Sequence, residues 1–215
     1  MRNGPCALLV PVLLAMAGCV TPPPAKDYTE FNRSHPRSIL VLPPINESTD
    51  VNASYSLLSC TTRPLAELGY YVLPVAMVDG YLKENGLTVP AEMHQAPLAK
   101  LREVFGADAV LYITIEKYGS KYQILATTTF VYARARMVDG RTGTTIWEGQ
   151  VQIANAGDSS SSLQEALLKA ILSQVLNKVT DQAHQVASMA AYQLLTTPGQ
   201  GLPNGPLQPE IATAK

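Results

Sequence analysis

The chain has only three cysteines in 215 residues, and two of them belong to its first segment. Cys6 lies within an N-terminal apolar stretch and Cys19 closes it, which leaves Cys60 alone. An internal disulfide is therefore excluded from the processed chain, even in an oxidising compartment. Cys60 reads instead as a small buried hydrophobe on a helix. Charge is also scarce, at 15% of residues with a net of -1, and no basic run occurs. That excludes nucleic acid as a partner and excludes adhesion to a membrane by charge alone. So low a charged fraction points to a surface partly covered by a partner or another copy.

Catalytic and metal-binding patterns are missing as well. His35, His94 and His184 have no ligand spacing between them, and no CxxC, HExxH or GxSxG is present. No glycine-rich phosphate loop follows the first strand. Asp79-Gly80 and Asp139-Gly140 read as turns. The expectation is a chain with no metal, no cofactor and no enzymatic activity.

No apolar run is long enough to cross a bilayer. The stretch from Ala7 to Ala17 has about half the length of a spanning helix, and Pro5 and Pro11 oppose one. What is present is a secretory signal: Met1 and Arg2 as a positive start, the apolar core, then small residues. Met16-Ala17-Gly18-Cys19 resembles the bacterial lipobox, with Met where Leu is usual. The match implies that residues 1–18 are removed and Cys19 is acylated. Stable anchoring takes more than one acyl chain, and a lipoprotein cysteine supplies a diacylglycerol and usually an amide-linked chain. Val20 stands where Asp would signal retention at the inner membrane, which favours the outer membrane and its periplasm-facing leaflet.

Along the chain, residues 19–36 read as a proline-bearing tether. Ser38 to Leu42 is a continuous apolar run closed by Pro43-Pro44, as in a strand buried on both faces. The turn-rich loop to Asp50 follows, with Thr49, Asp50 or Asn52 as candidate caps. Residues 53–68 read as a helix interrupted by Pro64, either kinked or split in two, and Gly69 ends it. Tyr70 to Pro74 is a second strand. Helices over 77–84 and 97–105 come next, joined by a connection at 90–95, and then a third strand over 107–115.

After that the pattern changes to turns and long strands. Gly119-Ser120 is expected as a turn, Tyr122 to Val138 as a strand, Asp139 to Gly143 as a turn and Thr144 to Ile153 as a strand, giving an antiparallel meander. Tyr132, Arg134 and Arg136 alternate with Ala133 and Ala135 and so share one sheet face. Ser162 and Glu165 form a capping box for a helix that can run from Leu163 to Leu195, with Thr180-Asp181 its weakest point. Its Ala- and Gln-rich second half either crosses to another subunit or folds back on the core. The recurrent Pro and Gly after Pro198 read as a disordered tail. The fold class is α/β: a mixed sheet with an antiparallel meander, flanked by helices, with a long C-terminal helix. The expected domain spans 37–195, with tether 19–36 before it and tail 196–215 after it.

Four stretches together carry a family resemblance: the lipobox, Pro36 to Ser48, Leu68 to Val75 and Phe105 to Ile115, joined by Thr145-Ile146-Trp147-Glu148-Gly149. The set resembles a Gram-negative lipoprotein family of unknown function whose best-known member is a meningococcal surface vaccine antigen. More distantly it is similar to the periplasmic α/β domains of CsgG, of LpoB-type activators and of the TolB N-terminal domain. The resemblance implies an outer-membrane, periplasm-facing accessory or assembly factor and transfers no catalytic residues. The chain shows no extra amphipathic hairpins of the kind a CsgG-like pore uses. The expected partners are the bilayer, through Cys19, and an envelope protein or a second copy. Asn46, Glu47, Tyr132, Arg134 and Arg136 are the candidate surface. The competing readings are an oligomeric part of an export channel and a small-ligand-binding lipoprotein with a pocket near Pro43 to Asp50.

Overall fold

A computed structural model describes residues 26–123, 126–156 and 179–208. The elements, in order, are α1 (Thr29–Ser34), β1 (Ser38–Val41), β2 (Ile45–Asn46), α2 (Ala53–Glu67), β3 (Tyr71–Val72) and α3 (Val75–Glu84). They continue with α4 (Pro90–Met93), α5 (Leu98–Phe105), β4 (Ala109–Gln123), β5 (Ala126–Asp139), β6 (Thr145–Ala156) and α6 (Val179–Thr196). The lipobox, the capping box at Ser162 and Glu165, and residues 163–178 of the long helix lie outside the described residues.

The strands form one sheet in the order β3-β1-β4-β5-β6. β1 is parallel to both its neighbours, and β4, β5 and β6 are successively antiparallel. β2 pairs with β4 further along the same edge as β1. β1 and β2 are therefore one lane broken at Pro43-Pro44, where two backbone donors are missing. From β1 the chain moves one way to β3 through α2, then back across to β4 through α3, α4 and α5.

This reversal covers both faces of β1. Ile39 and Val41 point into a core with α2 and α6, while Leu40 and Leu42 pack with Val78, Leu82, Met93 and Leu101 of α3 to α5. That is why β1 has no polar alternation. β4 keeps the first core throughout, through Ala109, Leu111, Ile113 and Ile115. On its other face the apolar series stops at Tyr112 and gives way to Thr114 and Glu116. β5 and β6 place Val131, Ala133, Ala135, Met137, Trp147 and Val151 in the first core, and their opposite face carries Arg134, Arg136, Glu148 and Gln150, all exposed.

Several expectations change. Gly119-Ser120 is not a turn. β4 runs through it to Gln123 and pairs with β5 from Ala109↔Asp139 to Gln123↔Ala126. The register slips between Ile115 and Lys117, and Gly119 has φ +127, so the glycine serves an irregular strand. Buried Tyr118 fixes this path by donating its hydroxyl to Ser56 Oγ at 2.6 Å. α2 is continuous through buried Pro64. None of Thr49, Asp50 and Asn52 caps it with a side chain; the Asp50 carboxylate accepts the Asn52 N–H instead. The second strand shrinks to Tyr71–Val72, and the 90–95 connection holds the short α4.

The described part of the last helix folds back on its own sheet. Ala183, Val186, Ala187, Ala190, Ala191, Leu194 and Leu195 are buried, against α2 and the meander. Small side chains allow that close approach. Thr180 and Asp181 fall in the first turn of α6.

The tether and the tail are both ordered where they meet the body. In the expected tether, α1 buries Phe31 against Tyr70, rings edge to face. In the expected tail, Leu202 is buried, Trp147 Nε1 donates to Gln200 O at 3.1 Å, and the Tyr28 hydroxyl donates to Gly201 O at 2.6 Å. The Tyr70 hydroxyl donates to Pro203 O at 2.6 Å. Gly205 N–H and Leu207 N–H donate to Leu68 O and Gly69 O. Gly69, at φ +89, also has no room for a side chain, since a Cβ there would stand 2.3 Å from Gln208 N. These bonds join residues more than fifty positions apart, so local composition carries no trace of them.

Asp139 ties α1 to the β5–β6 turn. It is 2% exposed and accepts from Ser34 Oγ, from Arg141 N–H at 2.7 Å and from Thr142 N–H at 2.8 Å. Burial alone would raise its carboxyl, but the bonds from Ser34, Thr142 and Arg141 outweigh that and hold it below its ordinary value. Its contribution is thus complete above the unfolded carboxyl pKa of about 3.9 and is lost as pH falls through the lower folded value. Asp139→Ala strands these donors and should destabilise by about 2–3 kcal/mol at neutral pH. Urea titrations should show the gap to the wild type narrowing as the pH drops below the normal carboxylate range.

Candidate functional site

Beyond Tyr112 the second face of the meander carries polar side chains, and a cavity of about 860 Å³ is lined by them together with Gln193 and Leu194 of α6 and with Thr197 at the β6 edge. Its lining draws on distant parts of the chain: Lys26, His94, Tyr112, Thr114, Arg134, Arg136, Glu148 and Gln200 are among it. Among the described residues, three basic side chains (Lys26, Arg134 and Arg136) and the Glu148 carboxylate line it.

The inner wall is a stack of three rings and planes. The Arg136 guanidinium lies 4.3 Å from the Tyr112 ring centre, in cation–π range. The His94 ring meets the same tyrosine edge to face at 5.3 Å. His94 Nε2 is 2.9 Å from Pro43 O; a carbonyl only accepts, so this nitrogen carries a proton. Burial pushes the His94 pKa down, the Pro43 carbonyl opposes that, and the Arg136 charge adds to the lowering. His94 is therefore neutral at neutral pH. Burial likewise raises the Tyr112 hydroxyl, against the pull of Arg136.

The outer part differs. Arg134 forms an ion pair with Glu116. Tyr132 sits beside Phe130, with Lys117 5.1 Å from its ring centre. At the opposite rim, Lys26 Nζ is 4.9 Å from the Trp147 ring centre and donates to Gln200 O at 3.3 Å. Burial lowers the Lys26 pKa and Glu148 opposes this.

Of the five candidate surface residues, the structure groups Tyr132, Arg134 and Arg136 on one face, as strand alternation requires. Asn46 and Glu47 stand apart from them. The Asn46 side chain is used within its own loop: Oδ1 accepts Ser48 N–H at 2.9 Å and Ser48 Oγ at 2.6 Å, and Nδ2 donates to Asp50 O at 2.8 Å. Glu47 is exposed, with its N–H on Ile115 O. The Pro43 to Asp50 loop gives the cavity only Ile45. Lys26 and His94 escape a sequence reading because the N-terminal strap and the crossover bring them to the cavity.

A second polar cluster joins α2 to α6. Ser56 Oγ lies 2.9 Å from His184 Nδ1, and Cys60 Sγ is 3.8 Å from the same ring. Burial raises the Cys60 thiol, against a weaker hydrogen bond from Ser59, and the side chain packs in the core as a small apolar group. Among the described residues no group of His, Cys, Asp and Glu is arranged to hold a metal ion.

The fold is thus a helix-flanked mixed sheet with an open polar cleft beside its antiparallel meander. The family model described as "Putative lipoprotein GNA1162-like" matches residues 26–207, and the chain belongs to that family. It is 46% identical over 194 residues to "Putative lipoprotein NMB1124/NMB1162" of Neisseria meningitidis serogroup B (strain ATCC BAA-335 / MC58), covering 89% of this chain and 90% of that one. The crystal structure of lipoprotein GNA1162 from Neisseria meningitidis is similar at 45% identity with a TM-score of 0.54, over 66% of this chain and 99% of that chain. The LpoB C-terminal domain from Salmonella enterica stands further off, at 18% identity and a TM-score of 0.39, over 54% of this chain and 82% of that chain.

Proposed function

We propose that this lipoprotein is a single α/β domain held at the outer membrane by acylated Cys19, facing the periplasm. It works without catalysis, as an accessory or assembly factor of an envelope transport machine, by docking a protein partner. The observation that carries the reading is the outer half of the meander, where among the described residues β6 stands at the sheet edge and one face is polar. Tyr132, Arg134, Gln150 and Gln152 are presented there. An unpaired strand edge beside aromatic and arginine side chains suits protein docking. α6 packs on its own sheet, which leaves the strand edge as the better interface.

Photo-crosslinking amino acids placed one at a time at Gln152, Gln150 and Lys100 test this in intact cells. A discrete product from the two meander positions and none from Lys100 on α5 supports docking at this face. A product of twice the chain's mass makes the partner a second copy. Equal yields from all three positions, or no product, would remove the docking role from this face.

A further inference from the structure

The polar face of the meander carries its own complement. Strand register sets Arg136 of β5 beside Glu148 of β6, Arg134 beside Gln150, Tyr132 beside Gln152 and Phe130 beside Ala154. All eight side chains point to the same sheet face, since they alternate with the buried Val131, Ala133, Met137, Trp147 and Val151. The arginines and aromatic rings therefore stand on β5, and the carboxylate and amides on β6. Arg134, Arg136, Glu148, Gln150 and Gln152 are exposed.

One charge of each sign is left over in this arrangement. Arg134 pairs with Glu116. Arg136 lies on the Tyr112 ring, and among the described residues no carboxylate stands within ion-pair distance of it. Glu148 has no cation within that distance either, and Lys26 acts on it only from further off. The helix layer of α3 to α5 reaches only as far as Tyr112 and Val138 on this face, so the rows from Arg136 outward lie beyond it.

Symmetry decides which surface fits such a face. A two-fold axis along the strands, between β5 and β6, lays β5 of each copy on β6 of the other at an unchanged level. Arg136 then meets the partner's Glu148, Arg134 the partner's Gln150, Tyr132 the partner's Gln152 and Phe130 the partner's Ala154. Every row finds its complement, twice over, as an isologous interface requires. Packed sheets lie about 10 Å apart, a gap that an arginine and a glutamate bridge from opposite sides. A two-fold across the strands would lay β5 on β5, and no arginine of that strand would reach a β6 carboxylate.

We propose that this face pairs with the same face of a second copy of the chain, held by reciprocal Arg136–Glu148 contacts across a two-fold axis between β5 and β6. This rests on the reading of the face as a docking surface and names what docks there.

The test places a photo-crosslinking amino acid at Gln150 of the full chain, in intact cells that make two differently tagged copies. The unaltered chain should give a product of twice its mass that carries both tags. Arg136→Glu sets carboxylates against each other at both ends of that row, and Glu148→Arg does the same with guanidinium groups. Each substitution alone should lower the product at least about tenfold. Co-expressing the Arg136→Glu chain with the Glu148→Arg chain should bring it back, because every contact of that row between the two is again of opposite charge. Neither attraction within one chain nor misfolding of a variant gives that rescue. A double-mass product that neither substitution lowers, or that does not return on co-expression, would overturn the pairing. A discrete product of another mass only would overturn it while leaving protein docking at this face intact. No product of any mass would remove both.

Discussion

A chain ending at Thr197 should lose at least about 6 kcal/mol of stability in urea titrations, a large part of what a chain commonly has. The loss has three sources. Leu202, 6% exposed, leaves the core, which costs about 2 kcal/mol. The backbone bonds from Gly205 to Leu68 O and from Leu207 to Gly69 O disappear, each worth about 1 kcal/mol. Trp147 Nε1 and the Tyr70 hydroxyl then lose their acceptors, Gln200 O and Pro203 O. Both side chains are nearly buried, and an unmet buried donor costs about 1–3 kcal/mol. Leu202→Ala alone should account for about 2 kcal/mol. A truncated chain within about 1 kcal/mol of full length would show that the segment after Thr197 rests on the body without holding it.

Replacing Cys19 by alanine should abolish incorporation of a palmitate analogue and remove the chain from the outer-membrane fraction. Each buried methylene adds about 0.8 kcal/mol to membrane attachment, so a cysteine that carries more than one acyl chain is stably anchored and an unacylated one barely at all. Among the described residues no helix is long and apolar enough to cross the membrane in its place. Cys19→Ser should fail in the same way, because the acyl-bearing group is attached through sulfur. Val20→Asp should keep the label and move the chain to the inner membrane. Label retained in Cys19→Ala would place the lipid on another residue. Unchanged fractionation of Val20→Asp would remove the sorting argument while leaving the anchor intact.

The parts of the fold that were legible in the sequence are those where burial is written in neighbouring residues. The unbroken apolar run at Ile39–Leu42 gave a strand covered twice, and the alternation from Ala133 to Met137 gave a strand covered once. The same alternation put Arg134 and Arg136 on one face. Gly119-Ser120 misled because glycine marks both a turn and an irregular strand, and only the distant bond from Tyr118 to Ser56 decides between them. The ordered ends were illegible for a related reason. Pro198 to Pro206 has the composition of a free tail, and what fixes it is the backbone of α2's end and the side chains of Tyr28, Tyr70 and Trp147. The cleft was half legible: its strand residues follow from period two, whereas Lys26 and His94 reach it only through the topology.

The two straps that meet at Lys26–Gln200 and Tyr28–Gly201 have a mechanical meaning. Any drag on a lipid at Cys19 enters the folded body at Lys26. It is met first by those contacts, and then by Phe31 against Tyr70, before any sheet hydrogen bond is loaded. Both straps bear on the same corner, so the load passes from one end of the chain into the other and largely bypasses β1 at the centre. In the proposed role, with Cys19 acylated and a partner bound, the pull would fall on this corner and leave the body behind it unloaded.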